Sequence, residues 1–317
     1  MAQQNNYPFK QNGYIYSKGT AQGFLRMQRQ GIPRPIFRIE DKLRTILKKA
    51  YEKVVRKIMR EFMIQAKANG ITKADLTEDA ESDDVKALMD FFDEMARQEQ
   101  SADDAQKAAE LKAALGNVQS NLNGAWDTDN PEPIGDDIAG AVENILLQNQ
   151  QDYMARLSSD AGDTLGRIIS AFSIDKQKLY NDNMENIRTL YLNNTIERIG
   201  WEENWLKKQF LQKIADYVEG RSDTLDIQSL TKGMLHDGAR MAQFFARDQL
   251  SRLNKATTLS TFVNAGVTKI KWVTTHDVRV RDSHRALDGK VFDINNLPSE
   301  IDDYNCRCGL VPVEWAE

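Results

Sequence analysis

The stretch WVTTHDVRVRDSHRALDGKVFD at 272–293, followed by NCRCGLVPV at 305–313, differs from the rest of the chain in its pattern. Among 317 residues there are two cysteines and three histidines, and both cysteines and two of the histidines lie in these two segments. Three short runs here are rich in β-branched residues. They are 267–275, 290–294 and 309–313. Such runs, bounded by polar turns, predict a small sheet near the C-terminus.

The chain upstream of this sheet is dominated by helical periodicity. Apolar residues recur every three or four positions from 39 to 67, which predicts a long amphipathic helix. Residues 74–115 continue the pattern, with Gly116 as the expected helix end. Residues 141–265 are again helical. Interruptions are expected there at Gly162, at Gly200, at 219–223 and at Gly238. Aromatic residues of this region, including Trp201 and Trp205, are expected to lie in the core.

We therefore predict a mainly α fold: an elongated helical bundle with a small C-terminal α+β domain that contains a short sheet. Pro, Gly, Asp and Asn concentrate between 123 and 140, which indicates a linker. The predicted regions are an extended N-terminal arm at 1–38, a charged helical region at 39–122, the linker at 123–140, a helical region at 141–246 and the C-terminal domain at 247–317. The aromatic-rich arm is expected to lie against its own chain, a partner subunit or nucleic acid.

Composition excludes several classes of protein. Hydrophobic residues make up 41% and charged residues 28%, a profile typical of a helix-rich globular chain. No apolar run reaches the roughly eighteen residues of a membrane span, and the first residues lack signal-peptide order, so we expect no membrane partner. Cys306 and Cys308 cannot cross-link distant parts of the fold, which favours a reducing compartment.

Charge is segregated along the chain although the net charge is only -5. Residues 1–73 carry about sixteen Lys and Arg against four acids, whereas residues 74–137 carry about four against eighteen. The predicted helix at 39–67 has a basic face. The candidate DNA or partner contacts on it are Lys48, Lys49, Lys53, Arg56, Lys57 and Arg60. Solvent, or the acidic stretch at 74–115 folded back as a helical hairpin, would satisfy this face equally well.

The terminal cysteines and His284 are residue types that bind Zn²⁺. A fourth ligand would have to come from a small group of neighbours: His276, Asp277, Asp288, Asp302 or Asp303. A C-x-C pair with one histidine is an incomplete zinc signature, because paired C-x-x-C units are absent. From the ligand types alone, we expect zinc to be sub-stoichiometric or absent.

Two other interpretations of these residues remain open. Asp277, Arg279, Arg281 and Asp288 could form bidentate ion pairs that hold the loops of a small domain in place. Alternatively, His284 could act as a general base and Arg281 could stabilise an anion. No nucleophile elbow, phosphate-binding glycine loop or paired-carboxylate signature accompanies them. We therefore expect no catalytic residues and no enzymatic activity.

A longer set of features carries a resemblance to a known family. The segment that begins ARDQLSRLNKATT at 246 and ends with NCRCGLVPV resembles the C-terminal domain of phage Mu protein F-like proteins, the minor head or head-morphogenesis proteins of tailed bacteriophages. The resemblance covers 247–317. The features that carry it are Arg247, Asp248, Gln249, Asn254, Gly266, Trp272, Asp277, Arg279, Arg281, His284, Asp288, Gly289, Asn305, Cys306, Arg307 and Cys308.

The resemblance implies a structural virion component present in a few copies. Its expected partners are the portal protein, the major capsid protein and packaged double-stranded DNA, without a small-molecule substrate. The expected location is the virion head near the portal vertex, after assembly in the host cytoplasm. The resemblance implies a four-ligand pattern in many relatives, which have a cysteine pair near Arg281 and His284 and a histidine near Asp303, and this chain departs from that pattern. We expect no cofactor, with zinc as the alternative.

A second class of function fits the same resemblance, because some relatives carry this domain fused to toxin modules. The chain would then be a phage-delivered effector or nuclease that uses its C-terminal domain for delivery. Such a protein needs a further domain with convergent polar residues. Residues 1–262 show helical apolar stripes instead, which favours the minor head protein.

Overall fold

The computed structural model describes residues 9–11, 14–16, 37–71, 105–130, 133–157, 182–223, 225–276 and 278–315. The helices in these ranges are α1 (Phe37–Ala68), α2 (Ala105–Ala125), α3 (Asp136–Leu157), α4 (Asp182–Val218), α5 (Ile227–Asn264) and α6 (Asp282–Leu287). The strands are β1 (Phe9–Gln11), β2 (Tyr14–Tyr16), β3 (Val267–Val273), β4 (Val291–Asp293) and β5 (Gly309–Trp315), and Ser299–Asp302 forms a 3₁₀ turn. The predicted mainly α fold with a small C-terminal sheet is confirmed.

The C-terminal sheet is antiparallel, with β3 between β4 and β5. Ile270 lies opposite Phe292 on one side and Pro312 on the other, and Trp272 lies opposite Leu310. All three predicted strands are therefore present. Gly266, with a φ of +75°, connects α5 to β3 in a backbone conformation that glycine adopts readily. The predicted arm also contains a short element, since β1 pairs with β2 in antiparallel fashion.

The described chain divides into two compact units, each built from separated stretches. The first comprises the described parts of 1–45, 139–195 and 243–317, and the second those of 46–138 and 196–242. The core of the second unit is formed by the apolar faces of its helices, as the periodicity of 39–67 predicts. Phe62 of α1 meets Phe210 of α4 edge to face, with ring centroids 5.1 Å apart. None of the helices in the described ranges is both long enough and apolar enough to cross a membrane.

Glycines mark fewer helix interruptions than expected. Gly116, Gly200 and Gly238 lie inside α2, α4 and α5, so the predicted breaks at these positions are wrong. A Cβ atom at Gly238 would lie 2.9 Å from Cβ of Tyr51, so the missing side chain permits close approach between α5 and α1. The predicted turn at 219–223 is confirmed, with Gly220 at a φ of +74°. Gly162 lies outside the described residues.

The positions of Trp201 and Trp205 also differ from the prediction. They were predicted to be core residues, but 42% and 43% of their surfaces are exposed. They lie one turn apart on the same stripe of α4 as the exposed Lys208. The opposite side of the helix buries polar residues as well as apolar ones. Lys207, for example, is completely buried, 3.0 Å from Glu203 and with its ammonium over the Trp126 ring. Hydrophobicity alone therefore does not identify the inner face of α4.

Candidate functional site

A buried cluster of one histidine and two cysteines lies beside the C-terminal sheet. His284 is carried by α6, and the two cysteines precede β5. His284 Nδ1 is 3.3 Å from Cys306 Sγ and 3.4 Å from Cys308 Sγ. All three residues are less than 10% exposed. Both sulfurs thus reach the same ring nitrogen, although Arg307 separates the two cysteines in the sequence.

The other ring nitrogen of His284 faces a carboxylate. His284 Nε2 is 2.6 Å from Asp303 Oδ2, so the ring N–H donates to the carboxylate and the tautomer with hydrogen on Nε2 is favoured. This hydrogen bond from His284 holds the pKa of Asp303 below its usual value. The Trp272 ring lies edge-on to the imidazole at 5.4 Å and is fully buried. The orientation of His284 is therefore fixed on two sides.

The two thiols of the cluster differ in acidity. The pKa of Cys306 is lowered to about 5 because the Cys308 side chain donates a hydrogen bond to its thiolate, and the charge of Lys255 adds to this effect. The pKa of Cys308 is raised because its proton is held in that hydrogen bond and because the group is buried. At neutral pH the two sulfurs therefore share one proton.

Arg281, a predicted member of the structural cluster, supports the loop that carries Asp303. Its Nη1 is 3.2 Å from Asp303 Oδ2, and its Nη2 donates to the Tyr304 carbonyl at 2.6 Å. Its partners are thus Asp303 and Tyr304, and Asp288, one of the two acids considered for such pairs, binds Thr274 and His276 instead. Because 47% of the Arg281 side chain is exposed, the ion pair itself contributes about 1 kcal/mol or less.

Asp288 and Gly289 organise the turn between α6 and β4. Oδ1 of Asp288 accepts hydrogen bonds from the Thr274 N–H at 2.8 Å and the Thr274 hydroxyl at 3.0 Å, while Oδ2 contacts the His276 ring. Burial acts to raise the pKa of Asp288, but the Thr274 and His276 hydrogen bonds lower it overall. Gly289, at a φ of +79°, donates to the Trp272 carbonyl at 2.8 Å. This turn thereby positions Trp272 beside the cluster.

Arg307 lies between the two cysteines in sequence but binds elsewhere. Its Nη2 is 3.0 Å and 2.8 Å from the two carboxylate oxygens of Glu40, at the start of α1. Its guanidinium also lies 5.3 Å from the ring centre of Phe37, and Arg247 approaches the same carboxylate at 3.7 Å. Sequence reasoning missed Glu40, because the helix containing it was interpreted by its basic face. An acid in its first turn was the available signal.

The loop at 301–305 is held by one face of α5. Asp248 accepts the Asn305 N–H at 2.6 Å, and Lys255 donates to the Ile301 carbonyl at 2.8 Å. Between them, the Arg252 guanidinium lies 5.4 Å from the Tyr304 ring. Positions 248, 252 and 255 lie on one face because they are four and three residues apart. Asn305 has a φ of +53°, a conformation that asparagine tolerates better than most residues.

A cavity of about 210 Å³ borders the cluster. Its wall combines His284 and both cysteines with four arginines, which are Arg247, Arg279, Arg281 and Arg307. Three of these guanidinium groups face carboxylates of the same chain, since Arg247 and Arg307 approach Glu40 and Arg281 approaches Asp303. Arg279 thus joins the predicted site, on an exposed turn. Asp277, also predicted here, lies outside the described residues.

The part of the chain that contains this cluster is similar to known proteins. Residues 208–311 match the family described as Phage Mu protein F like protein. The C-terminal region is Mu F-like. The match confirms the predicted resemblance and extends it upstream into α4. The similarity to this family is therefore located in the part of the chain that contains His284 and both cysteines.

Two relatives with no described function share parts of the sequence. An uncharacterized protein of Haemophilus influenzae is 34% identical over 116 residues, which are 34% of this chain and 26% of that protein. An uncharacterized protein of Methanocaldococcus jannaschii is 25% identical over 181 residues, which are 54% of this chain and 28% of that protein. The chain thus spans just over a quarter of the length of these relatives. No solved structure matches it.

The predicted basic face of α1 lies outside the Mu F-like region. Some of its lysines already form ion pairs with acids of the same chain. Lys53 is 2.6 Å from Asp137, and Lys57 is 3.0 Å from Glu203. Lys48 pairs with Glu52 on its own helix at 3.6 Å. The remaining three candidate contacts are exposed: Lys49, Arg56 and Arg60. The acidic stretch proposed to cover this face lies mostly outside the described residues, so the predicted hairpin stays a prediction.

Proposed function

We propose that this chain is a minor head protein of a tailed bacteriophage, a structural component that binds the portal protein or the major capsid protein. The observation that carries the proposal is the Mu F-like match over 208–311, which includes the whole histidine–cysteine cluster. The proposed location is the head interior near the portal vertex, reached during assembly in the host cytoplasm. Packaged double-stranded DNA would be a neighbour of the protein in the finished head.

The contacts of the motif residues support a structural role. Arg307, Asp248 and Asp288 each bind a side chain or backbone group that holds a helix or loop in place. A catalytic site instead needs polar groups directed at a space where a substrate is bound. These three side chains therefore have structural roles, and we propose that the protein is not an enzyme. We also propose that the protein has no small-molecule substrate.

The charge distribution supports a protein partner more strongly than DNA as the main ligand. Of the six basic side chains considered as DNA contacts, three are paired with acids of the same chain. A phosphate must compete with those carboxylates before counterion release can favour binding. Lys49, Arg56 and Arg60 are exposed on the same face and are the stronger candidates for contact with DNA. We therefore propose that contact with DNA is secondary.

A complementation experiment tests the proposal. A phage with the gene deleted is supplied with the wild-type chain, with Arg307→Ala or with Arg285→Ala, and its heads are purified. Arg285→Ala is the matched control, because Arg285 is 59% exposed and pairs locally with Asp282. Heads should form normally with wild type and the control. Arg307→Ala should lower both incorporation and the yield of filled heads.

Two outcomes would contradict the minor head protein. Normal heads and normal DNA content in the complete absence of the chain would show that assembly does not need it. If such virions also failed only after host entry, the effector alternative would be favoured. Direct binding gives an independent check: the purified chain should co-elute with purified portal or major capsid protein of the same phage.

A further inference from the structure

We propose that His284, Cys306 and Cys308 bind a divalent transition-metal ion of the zinc type. The ligand atoms are His284 Nδ1 and the two sulfurs, which all lie within 4.8 Å of one another. A nitrogen and two thiolate sulfurs form a ligand set that favours Zn²⁺ over the harder cations Mg²⁺ and Ca²⁺. From the residue types alone, zinc was expected to be sub-stoichiometric or absent. The distances between the ligand atoms now favour one bound ion per chain.

The observed spacing fits a tetrahedral ion. With Zn–S near 2.3 Å and Zn–N near 2.0–2.1 Å, tetrahedral angles require nitrogen–sulfur distances of about 3.5 Å. The two observed distances are 3.3 Å and 3.4 Å. A shift of about 0.2 Å in the side chains would therefore accommodate the ion. The cluster is also buried, so few other groups compete for these atoms.

The surroundings of His284 match those of a metal-binding histidine. A ligating imidazole usually donates its second N–H to a carboxylate, which fixes the tautomer and leaves the other nitrogen free to bind. Asp303 accepts from Nε2 at 2.6 Å, so Nδ1 presents its lone pair toward the sulfurs. Arg281 in turn holds Asp303 at 3.2 Å. These are the groups expected around a histidine that binds a metal ion.

The fourth coordination position would open toward the arginine-lined cavity. The described members of the cluster supply three ligands, and the cavity borders all of them. A water molecule or a small anion could fill the remaining position there. The guanidinium groups of Arg247, Arg279 and Arg281 line the same cavity. The proposed ion is thus held by the protein on one side and accessible on the other.

Metal analysis of the full-length protein tests this site directly. Protein purified without chelator from zinc-supplemented cells should contain close to one equivalent of zinc. Cys306→Ser should lose nearly all of it, and Asp303→Asn should weaken binding about 10- to 100-fold through the histidine. His236→Asn is the matched control, because His236 is 79% exposed and lies outside the cluster. It should retain the full equivalent.

Cobalt substitution provides a test that needs no variant. Chelator-treated, reduced wild-type protein is titrated with Co²⁺, and the absorption spectrum is recorded. Thiolate-to-cobalt charge-transfer bands that saturate at one equivalent, and disappear on addition of zinc, would support the site. Absence of these bands, or zinc content that is equal in wild type and Cys306→Ser, would overturn it. A Cys306–Cys308 disulfide in protein purified under reducing conditions would also overturn it.

Discussion

Glu40 and Arg307 form an ion pair although 267 positions separate them in the sequence. The distances from Arg307 Nη2 to the two carboxylate oxygens are 2.8 Å and 3.0 Å, and both side chains are largely buried. The pair joins the first turn of α1 to the segment that carries the two cysteines. This buried contact therefore links the packing of α1 to the position of the segment that carries the two cysteines.

Removing either partner of this pair should destabilise the protein. Glu40→Gln leaves Arg307 without its carboxylate in a buried setting, for which we expect a loss of roughly 3–5 kcal/mol. Glu52→Gln, which removes a partly exposed pair on the same helix, should change stability by less than about 0.5 kcal/mol. Urea unfolding followed by circular dichroism measures both. If the effects of Glu40→Gln and Arg307→Ala simply add in the double variant, the two residues are not coupled.

Two glycines of α5 should respond in opposite ways to alanine. Gly238→Ala places a Cβ atom 2.9 Å from Cβ of Tyr51, so we expect a net loss of roughly 1–3 kcal/mol. Gly233→Ala meets nothing within 4 Å and should stabilise the helix by up to about 1 kcal/mol. Thermal melts of the two variants give the comparison. Equal stabilisation by both substitutions would mean that α1 and α5 do not approach closely at Gly238.

Acid should weaken the turn held by Asp288. Its folded-state pKa is below the unfolded value of about 3.9, so its contribution to stability is complete above that value. The contribution is lost as the pH falls through the folded-state pKa. Asp288→Asn should therefore flatten the melting-temperature profile below about pH 4. Asp282→Asn, at a side chain that is 97% exposed, is the surface control. Identical profiles for wild type and Asp288→Asn would contradict this assignment.

Duplex DNA should bind weakly to the isolated protein. The carboxylates of Asp137 and Glu203 already occupy Lys53 and Lys57, so few phosphates can be neutralised. Fluorescence anisotropy at several salt concentrations should give dissociation constants in the nonspecific range, roughly 10⁻⁴–10⁻⁶ M at physiological salt. Combined substitution of Lys49, Arg56 and Arg60 by Gln should reduce what binding exists. Tight binding with a steep salt dependence would instead indicate a DNA-facing surface on α1.

Local patterns predicted the elements of this protein well, because helix and strand periodicity depend on near neighbours. The helix at 39–67 and the strands at 267–275 and 309–313 were found within a few residues. Gly238 was misinterpreted because its role depends on Tyr51, which is distant in sequence. Trp201 was misplaced because the buried side of α4 carries charged residues that a hydrophobicity pattern assigns to the surface.

The candidate site was predictable in its residue types but not in its partners. His284, Cys306 and Cys308 were identified as candidate ligands from their chemistry. Their convergence on one ring nitrogen depends on how α6 and the segment before β5 meet. Glu40 could not be found from the motif, because it lies at the opposite end of the described chain.

We propose that the protein is a structural part of the phage head. Quantitative mass spectrometry of purified virions and of empty proheads, calibrated on the major capsid protein, is the decisive measurement. The chain should be present in both particles, at a low and constant copy number relative to the capsid protein. Absence of the chain from proheads and virions alike would contradict it.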